Sequence, residues 1–342
     1  MANKRFRRTV VTGAGGFIGH HLVNQLKSDG HWVRGVDIVD PQYEPSKADE
    51  FIKADLREYD NCVLAVNGVD DVYNLAADMG GIGYISVNRA LLTRSNSLIN
   101  THMLEAARQE DVGRYLYTSS ACVYPGYLQN DTDVTPLRED QAIPADPEKG
   151  YGWEKLFAEQ LATYYHEEFG LDVRIVRFHN IYGPLGTYDG GREKAPAAIC
   201  RKVAEAENGT SIDIWGDGEQ TRSFCHVDDC VDGLVRLMDS GYVQPLNLGT
   251  DELVTINQLV DMVCDVSGKM LTKKHDLTKP QGVRGRNSDN SLLREVIGWE
   301  PQISLREGIG RTYQWIWSEL ARHGRVNQNN PNIDSPARLG ER

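Results

Sequence analysis

Short apolar runs alternate with longer amphipathic runs through the N-terminal part of the chain. The first short run contains the β-branched residues Val10 and Val11, and an amphipathic run follows it and stops at Gly30. The apolar residues of that second run recur at the spacing of one helix face, at Phe17, Ile18, Leu22 and Leu26. This segment is therefore predicted to form a strand, a glycine-rich turn and a helix.

The same alternation continues downstream. Four further runs have strand character, at residues 31–40, 70–77, 113–120 and 171–180. Helical patterns lie between them, at residues 91–110 and 152–170. Strands that alternate with helices favour parallel pairing with helices on both faces of the sheet. We therefore predict an α/β fold with a Rossmann-type, doubly wound parallel sheet.

The pattern changes after about residue 180. Two long glycine-rich loops (182–196 and 214–224) and two helical patterns (253–268 and 304–324) predict a smaller α/β C-terminal substrate domain. We expect this domain to comprise about 181–223 plus 251–322. The first domain then comprises 1–180 plus about 224–250, and the polar, Pro/Asn-rich stretch 323–342 is predicted to be a disordered tail.

Charge and cysteine content narrow the class of protein. The 342 residues carry 37 basic and 49 acidic side chains, for a net charge of −12, which disfavours binding to nucleic acid. The sequence has no run of about eighteen apolar residues and no signal-peptide pattern, so we expect no membrane contact and a cytoplasmic location. Its six cysteines are scattered without a common zinc-type spacing, which predicts free thiols and no metal site.

The glycine turn carries the first functional signal. Gly13, Gly16 and Gly19 follow the first strand and open the first helix, where backbone N–H groups and the helix dipole can hold a phosphate. Asp37 ends the second strand, where its carboxylate can bind a ribose diol and would repel a 2′-phosphate. These positions predict NAD as the cofactor rather than NADP. Further contacts to NAD are expected at Phe17, Ile18, Asp55, Leu56 and Ala76.

A tyrosine–lysine pair gives the second signal. Tyr151 and Lys155 are four residues apart, so on a helix they share one face. An ammonium group beside the phenol would lower the pKa of Tyr151. The tyrosine could then take the proton of a sugar hydroxyl while NAD takes the hydride. Both side chains are also expected to contact NAD.

With these residues the chain resembles the extended short-chain dehydrogenase/reductases that act on nucleotide sugars. The resemblance spans about residues 8–320 and rests on the motifs TGAGGFIG (12–19), DMGGIGY (78–84), SSACVYP (119–125), YGWEK (151–155), RFHNIYGP (177–184), GGREKAPAA (190–198), GDGEQTRSF (216–224) and VRGRNSD (283–289). It implies that Ser120 hydrogen-bonds the reacting hydroxyl. It also implies a homodimer formed through the helices near 86–108 and 151–168.

Binding of a nucleotide-sugar substrate is a further implication of this resemblance. The implied contacts are Gly80, Gly81, Ser120, Ala121, Asn180, Glu193, Lys202, Gln220, Arg222 and Arg286. The two arginines agree with the expected chemistry, because guanidinium groups suit a diphosphate. GDP-mannose is the nucleotide sugar that the motifs imply.

Cys122 points to a step beyond simple oxidation. Family members that dehydrate their substrate carry a glutamate at this position, beside the reactive carbons of the sugar. Oxidation at C4 acidifies the protons on C3 and C5, and inversion of a carbon needs a base on one face and an acid on the other. A thiol can serve as one of them if a nearby cation stabilises the thiolate. The resemblance assigns Lys194 as its partner, with Cys122, Lys194, Ser120, Tyr151 and Lys155 as the catalytic residues.

The expected reaction is therefore an NAD-dependent epimerisation. C4 is oxidised, protons are exchanged at C5, C3 or both, and C4 is reduced again, so that NAD stays bound and GDP-L-galactose or GDP-L-gulose forms. Three alternatives remain open at the level of sequence. They are a GDP-fucose-synthase-like epimerase-reductase of a 4-keto-6-deoxy sugar, a 4-epimerase or dehydratase of another nucleotide sugar, and a non-catalytic NAD-binding protein.

Overall fold

The structure, a computed structural model, describes residues 6–327. Strands and helices alternate in the first half in the predicted order. They are β1 (Arg8–Thr12), α1 (Phe17–Ser28), β2 (Trp32–Asp37), β3 (Glu50–Lys53), α2 (Tyr59–Val66), β4 (Asp71–Asn74), α3 (Ile82–Ile85), α4 (Arg89–Gln109), β5 (Arg114–Ser120), α5 (Tyr151–Phe169) and β6 (Val173–Phe178). Three short 3₁₀ helices lie between β5 and α5, at Ala121–Val123, Gly126–Gln129 and Glu139–Ala142.

The second half contains shorter strands. Its elements are β7 (Ile181–Tyr182), α6 (Ala195–Glu205), β8 (Ser211–Trp215), β9 (Thr221–Arg222), β10 (Cys225–His226), α7 (Val227–Ser240), β11 (Pro245–Leu248), β12 (Val254–Thr255), α8 (Ile256–Ser267), β13 (Thr272–Asp276), β14 (Gly285–Arg286), α9 (Ser291–Ile297) and α10 (Leu305–Arg322). β8 and β13 form a parallel pair, and β9 pairs with both β12 and β14.

Seven parallel strands form the central sheet, in the order β11-β6-β5-β4-β1-β2-β3. The chain order reverses between β1 and β4, so the loops that leave these two strands diverge to opposite sides. A crevice at the carboxyl ends of such strands is where doubly wound sheets bind dinucleotides. The predicted Rossmann-type fold is thus confirmed.

Apolar side chains cover both faces of the sheet. Met103 and Ala158 lie in the core on the side of α2, α4 and α5, whereas Leu22 and Leu234 lie in the core on the side of α1, α7 and α9. All four are completely buried. Because an apolar layer is buried on each face, the sheet is held rigidly and fixes the positions from which the loops at its carboxyl edge start.

A third core holds the second unit together. It lies between α6, α8 and α10 and includes Val203, Val260 and Ile316. Helix α9 packs elsewhere, because Leu293 lies in the core beside α7. The predicted boundary at 251–322 therefore includes one helix that packs on the first domain.

Helix α10 ends at Arg322, and most of the predicted disordered tail, 323–342, lies outside the described residues. None of the helices in the described range is long and apolar enough to cross a bilayer.

Candidate active site

Backbone N–H groups of the turn between β1 and α1 form a cradle. Gly13 has a φ of +70°, and a side chain at Gly19 would place its Cβ 2.1 Å from the carbonyl oxygen of Gly13. Gly16 is the N-cap of α1 and has no side chain that could cap the first turn. The N–H groups of that turn can therefore receive an anion, as a dinucleotide diphosphate requires. The turn fits the predicted cofactor.

Asp37 lies beside this turn at the end of β2. Its carboxylate accepts hydrogen bonds from the backbone N–H groups of Gly15, at 2.9 Å, and Val39, at 3.1 Å. Burial raises the pKa of Asp37, and the backbone hydrogen bonds act in the opposite direction. The carboxylate is thereby fixed where a ribose diol is predicted to bind.

The other predicted cofactor contacts follow the carboxyl ends of neighbouring strands: Phe17, Ile18, Asp55, Leu56 and Ala76. Ala76 borders the glycine turn, since a Cβ on Gly13 would lie 3.0 Å from its backbone nitrogen. The carboxylate of Asp55 is ion-paired with Arg57 at 2.6 Å, which lowers its pKa. Leu56 is buried in the core, so contact with a ligand there would involve its backbone.

The tyrosine–lysine pair lies at the start of α5. Nζ of Lys155 lies 5.6 Å from the centre of the Tyr151 ring and donates a hydrogen bond to the carbonyl oxygen of Thr118 at 3.1 Å. Burial raises the pKa of Tyr151 well above its usual value, while a hydrogen bond with Ser120 acts in the opposite direction. The pKa lowering that the sequence predicts is therefore outweighed by burial. Burial also lowers the pKa of Lys155, against the effect of Glu154.

Cys122 lies one turn beyond the end of β5. Its backbone N–H donates to Oγ of Ser120 at 3.2 Å, and Nη1 of Arg286 donates to its Sγ at 3.5 Å. The other five cysteines are buried, whereas Cys122 is partly exposed. A thiolate at Cys122 would favour the charged forms of Lys155, Lys194 and Arg222. The thiol thus packs beside Tyr151 and interacts with several cationic side chains.

Lys194 is the N-cap of α6 and faces the site from the second unit. Burial lowers its pKa, and Cys122 acts in the opposite direction. The loop before it contacts the segment 78–85, which we call the lip. The backbone N–H of Gly81 donates to the carbonyl oxygen of Arg192 at 3.2 Å. A Cβ added at Gly81 would lie only 2.8 Å from the carbonyl oxygen of Glu193. The lip therefore lies against the loop that carries Lys194.

Arg222 and Arg286 lie side by side on the paired strands β9 and β14. Arg222 donates hydrogen bonds to the carbonyl oxygens of Thr221 and Val283, both at 2.6 Å. Burial, with Arg286 nearby, lowers the pKa of Arg222 to about 9. Within residues 6–327, no carboxylate lies at ion-pair distance from either guanidinium. The pair is short of negative charge, which an anionic ligand can supply.

Two further predicted substrate contacts are near these arginines. Asn180 has a φ of +47°, and its Nδ2 donates to the carbonyl oxygen of Ser223 at 2.9 Å. Nε2 of Gln220 donates to the carbonyl oxygen of Trp215, but its buried Oε1 has no hydrogen-bond partner among the described residues. An unsatisfied buried acceptor at this place suits a ligand N–H.

The remaining predicted substrate contacts differ in whether they are already engaged by other parts of the protein. Glu193 accepts a hydrogen bond from the backbone N–H of Gly191 at 2.6 Å, and Nζ of Lys202 donates to the carbonyl oxygen of Asp213 at 2.6 Å. Ala121 is buried, and Gly80 packs against Tyr84. Lys202 is therefore bound to the backbone of β8 in this structure.

Three residues outside the predicted set support the site, namely Glu154, Asn96 and Asp78. Glu154 lies three residues after Tyr151, so helical spacing alone places it near the buried face of the pair. Asp78 begins the motif DMGGIGY, whereas Asn96 gave no comparable signal, because its contacts with Asp78 join segments that are distant in sequence.

Comparison with known proteins defines the family. Residues 9–249 match the model of the NAD dependent epimerase/dehydratase family. The chain is 47% identical over 312 residues to GDP-mannose 3,5-epimerase of Arabidopsis thaliana, covering 91% of this chain and 82% of that protein. It is 46% identical over 315 residues to GDP-mannose 3,5-epimerase 1 of Oryza sativa subsp. japonica, covering 92% and 82%.

A solved structure extends this likeness. UDP-glucuronic acid 4-epimerase from Bacillus cereus, in complex with UDP-glucuronic acid and NAD, superposes with a TM-score of 0.78 at 26% identity, covering 91% of this chain and 99% of that one. The chain belongs to the NAD-dependent epimerase/dehydratase family. Membership confirms the predicted family, enzyme class and cofactor, NAD.

Proposed function

We propose that the protein epimerises GDP-mannose at C5 and C3, with GDP-L-galactose or GDP-L-gulose as the product. The observation that carries the proposal is the Cys122 thiol, which lies beside Ser120 and within 3.5 Å of a guanidinium nitrogen of Arg286. The names of the two plant relatives, at 46% and 47% identity, support this substrate and reaction.

The redox half of the reaction would use Ser120, Tyr151 and Lys155. The glycine turn and Asp37 would hold NAD, which would supply a hydride acceptor for C4 and a hydride donor for the return step. Tyr151 takes the proton of the C4 hydroxyl, and Ser120 orients that hydroxyl. Because burial raises the pKa of Tyr151, the proton transfer needs positive charge nearby, and the Lys155 ammonium supplies part of it.

The proton-exchange half would use Cys122 and Lys194. The C4 ketone acidifies the neighbouring C–H groups, so a base can remove a proton and leave an enolate. One member of the pair removes the proton from one face of the carbon, and the other returns a proton to the opposite face. Nη1 of Arg286 donates to Sγ of Cys122, so a positive charge lies beside the thiol that would take part in this exchange.

The nucleotide diphosphate would bind to Arg222 and Arg286, which are short of negative charge. The acceptor Oε1 of Gln220 is available to an N–H group of the ligand. We infer that Asn180, Glu193, Gly80, Gly81 and Ala121 line the same cavity, as the family resemblance implies.

We also propose a homodimer. Several large apolar side chains are exposed on the adjacent helices α4 and α5: Leu91 (65%), Trp153 (51%), Phe157 (50%) and Tyr164 (51%). Such a patch supports association with a second copy. A cytoplasmic location is supported by the six free cysteines.

The test is incubation of the purified protein with GDP-mannose in D₂O without added NAD. The expected result is deuterium at C5 and C3, detected by NMR, and formation of the epimeric GDP-hexoses. A product inverted at C4 without exchange at C3 and C5 would replace the proposal with a 4-epimerase.

A matched pair of cysteine variants isolates the thiol. Cys122→Ala should abolish exchange at the carbon it serves while it retains bound NAD. Cys264→Ala, in helix α8 away from the site, is the control and should keep full exchange. Normal exchange by the Cys122 variant would contradict the proposed role.

A further inference from the structure

The carboxylate of Glu154 is the end point of a buried hydrogen-bond network that the proposed mechanism does not use. The side chain of Glu154 is fully buried, and its Oε1 lies 4.0 Å from Nζ of Lys155. Nδ2 of Asn96 donates to Oε1 at 2.8 Å, and Nδ2 of Asn100 donates to Oε2 at 3.3 Å. Both carboxylate oxygens therefore accept from amide N–H groups.

The first branch of the network comes from the lip. The backbone N–H of Asp78 donates to Oδ1 of Asn96 at 2.7 Å, and Nδ2 of Asn96 donates to the carbonyl oxygen of Asp78 at 3.0 Å. A backbone N–H always donates and a carbonyl always accepts, so these bonds fix the orientation of the Asn96 amide. Its N–H groups must face Glu154.

The second branch comes from the glycine turn. The backbone N–H groups of Leu75 and Ala76 both donate to Oγ1 of Thr12 at 3.1 Å, so the Thr12 hydroxyl proton points to Oδ1 of Asn74, at 2.7 Å. Nδ2 of Asn74 then donates to Oδ1 of Asn100 at 3.1 Å. The amide of Asn100 is thereby turned with its N–H groups toward Glu154.

Both branches thus run in one direction, and each ends on an oxygen of Glu154. A group that accepts twice and donates nothing is needed at this position, and a carboxylate is such a group. A glutamine has the same size, but it would direct one N–H₂ group at the N–H₂ of Asn96 or Asn100. Neither asparagine can rotate in response without losing its own fixed partners.

We propose that Glu154 is a positioning residue that ties the lip over the sugar and the cofactor turn to the redox lysine. Through Asn96 it fixes the backbone of Asp78, from which the lip starts. The Asp78 side chain in turn accepts a hydrogen bond from Tyr84 at 2.9 Å and lies 3.6 Å from Arg192, beside the loop that carries Lys194. Glu154 therefore connects the two halves of the proposed reaction.

The charge of Glu154 has a second effect, on Lys155. The groups that face this ammonium are Glu154 and Glu159 on α5, Cys122 after β5, and the rings of Tyr117 and Tyr151. Of these acidic groups, Glu154 is the one that lies at ion-pair distance from Nζ of Lys155 within the described residues, at 4.0 Å. Its removal should let burial lower the pKa of Lys155 further, so that activity is lost at a lower pH.

The decisive variant is Glu154→Gln, with Glu168→Gln as the matched control on the exposed end of the same helix. Hydrogen–deuterium exchange, read by mass spectrometry, should show faster amide exchange at residues 78–85 in the first variant and unchanged exchange in the second. This measurement needs no substrate, so it tests the inference even if the proposed function is wrong. The kinetic measurement described next rests on the proposed function.

In the kinetic arm, kcat of Glu154→Gln with GDP-mannose should fall on the order of 10²-fold, as expected for a small misplacement of catalytic groups. The alkaline limit of its pH–rate profile should move to lower pH, which a purely structural defect would not cause. Asn96→Ala should also lower kcat, but its alkaline limit should stay in place because Glu154 and Lys155 remain.

Unchanged lip exchange together with a wild-type pH profile in Glu154→Gln would overturn the inference. If that variant does not fold, Asn96→Ala decides the matter through lip exchange alone, which should be faster than in the wild type. Wild-type lip exchange in folded Asn96→Ala would then refute the connection to the lip.

Discussion

Arg177 forms a buried ion pair behind the carboxyl end of β5, and its loss should be unusually destabilising. Its Nε and Nη2 donate to the two carboxylate oxygens of Glu159 at 2.9 and 2.7 Å, and both side chains are at most 4% exposed. Ser119, the residue before Ser120, also donates to Glu159. The perturbation considered is Arg177→Met, which keeps much of the volume and removes the charge.

The expected loss follows from what remains behind. Glu159 would keep the hydrogen bond from Ser119 but would lose both charged donors while staying buried. Removal of one partner of a buried ion pair costs about 3 to 5 kcal/mol of unfolding free energy. Arg177 also donates to Tyr124 and to the carbonyl oxygen of Glu139, so the upper part of that range is expected. The double variant Arg177→Met/Glu159→Met leaves no unpaired charge and should recover most of the loss.

Urea unfolding of the wild type, both single variants and the double variant gives the coupling energy as a double-mutant cycle. A coupling of several kcal/mol is expected, and Arg177→Met should be less impaired at low pH, where protonation can neutralise the unpaired carboxylate. A loss below about 1 kcal/mol for Arg177→Met, typical of an exposed pair, would refute the reasoning.

Three other predictions concern the cofactor, pH and assembly. Gly19→Ala should weaken NAD binding, measured by calorimetry, by on the order of 10-fold or more, because its Cβ would lie 2.1 Å from the carbonyl oxygen of Gly13; unchanged affinity would contradict the cradle. Burial lowers the pKa of His179 to about 3, so the unfolded chain takes up this proton first as pH falls. Between pH 7 and 5 the free energy of unfolding should therefore fall by about 2 kcal/mol through this group, and His179→Gln should reduce that fall in urea titrations. Phe157→Glu should shift the proposed dimer to monomer in sedimentation experiments, whereas the exposed Glu168→Gln should not.

Local sequence patterns identify those site residues whose position is fixed by the end of a strand or by one face of a helix. Gly13, Gly16 and Asp37 follow strands, and parallel strands bring their carboxyl ends to one edge, so their convergence could be predicted. Tyr151 and Lys155 follow from helical spacing. The parallel, doubly wound sheet could be expected as well, since strands alternate with helices along the first half of the chain.

Other features depend on which side chain reaches which partner. Nothing local shows that Nζ of Lys202 bonds to the backbone of Asp213. The balance between burial and charge at Tyr151 also needs the packed structure, because spacing gives the neighbour but not the depth. The position of Leu293 beside α7 is a similar case, as its helical pattern fits either domain.

Positive groups lie close to the Cys122 thiol, and they include the two arginines that are proposed to bind an anion. Lys194, Arg222 and Arg286 have no carboxylate at ion-pair distance within the described part of the chain, and burial lowers the pKa of the first two. A cation that is partly withdrawn from water without a negative partner costs the ligand-free fold free energy. Two kinds of negative charge can relieve them, a diphosphate at the arginines and a thiolate at Cys122. Nη1 of Arg286 donates to Sγ of Cys122, and Arg286 also belongs to the proposed diphosphate site, so a diphosphate bound there should change the electrostatic surroundings of the thiol.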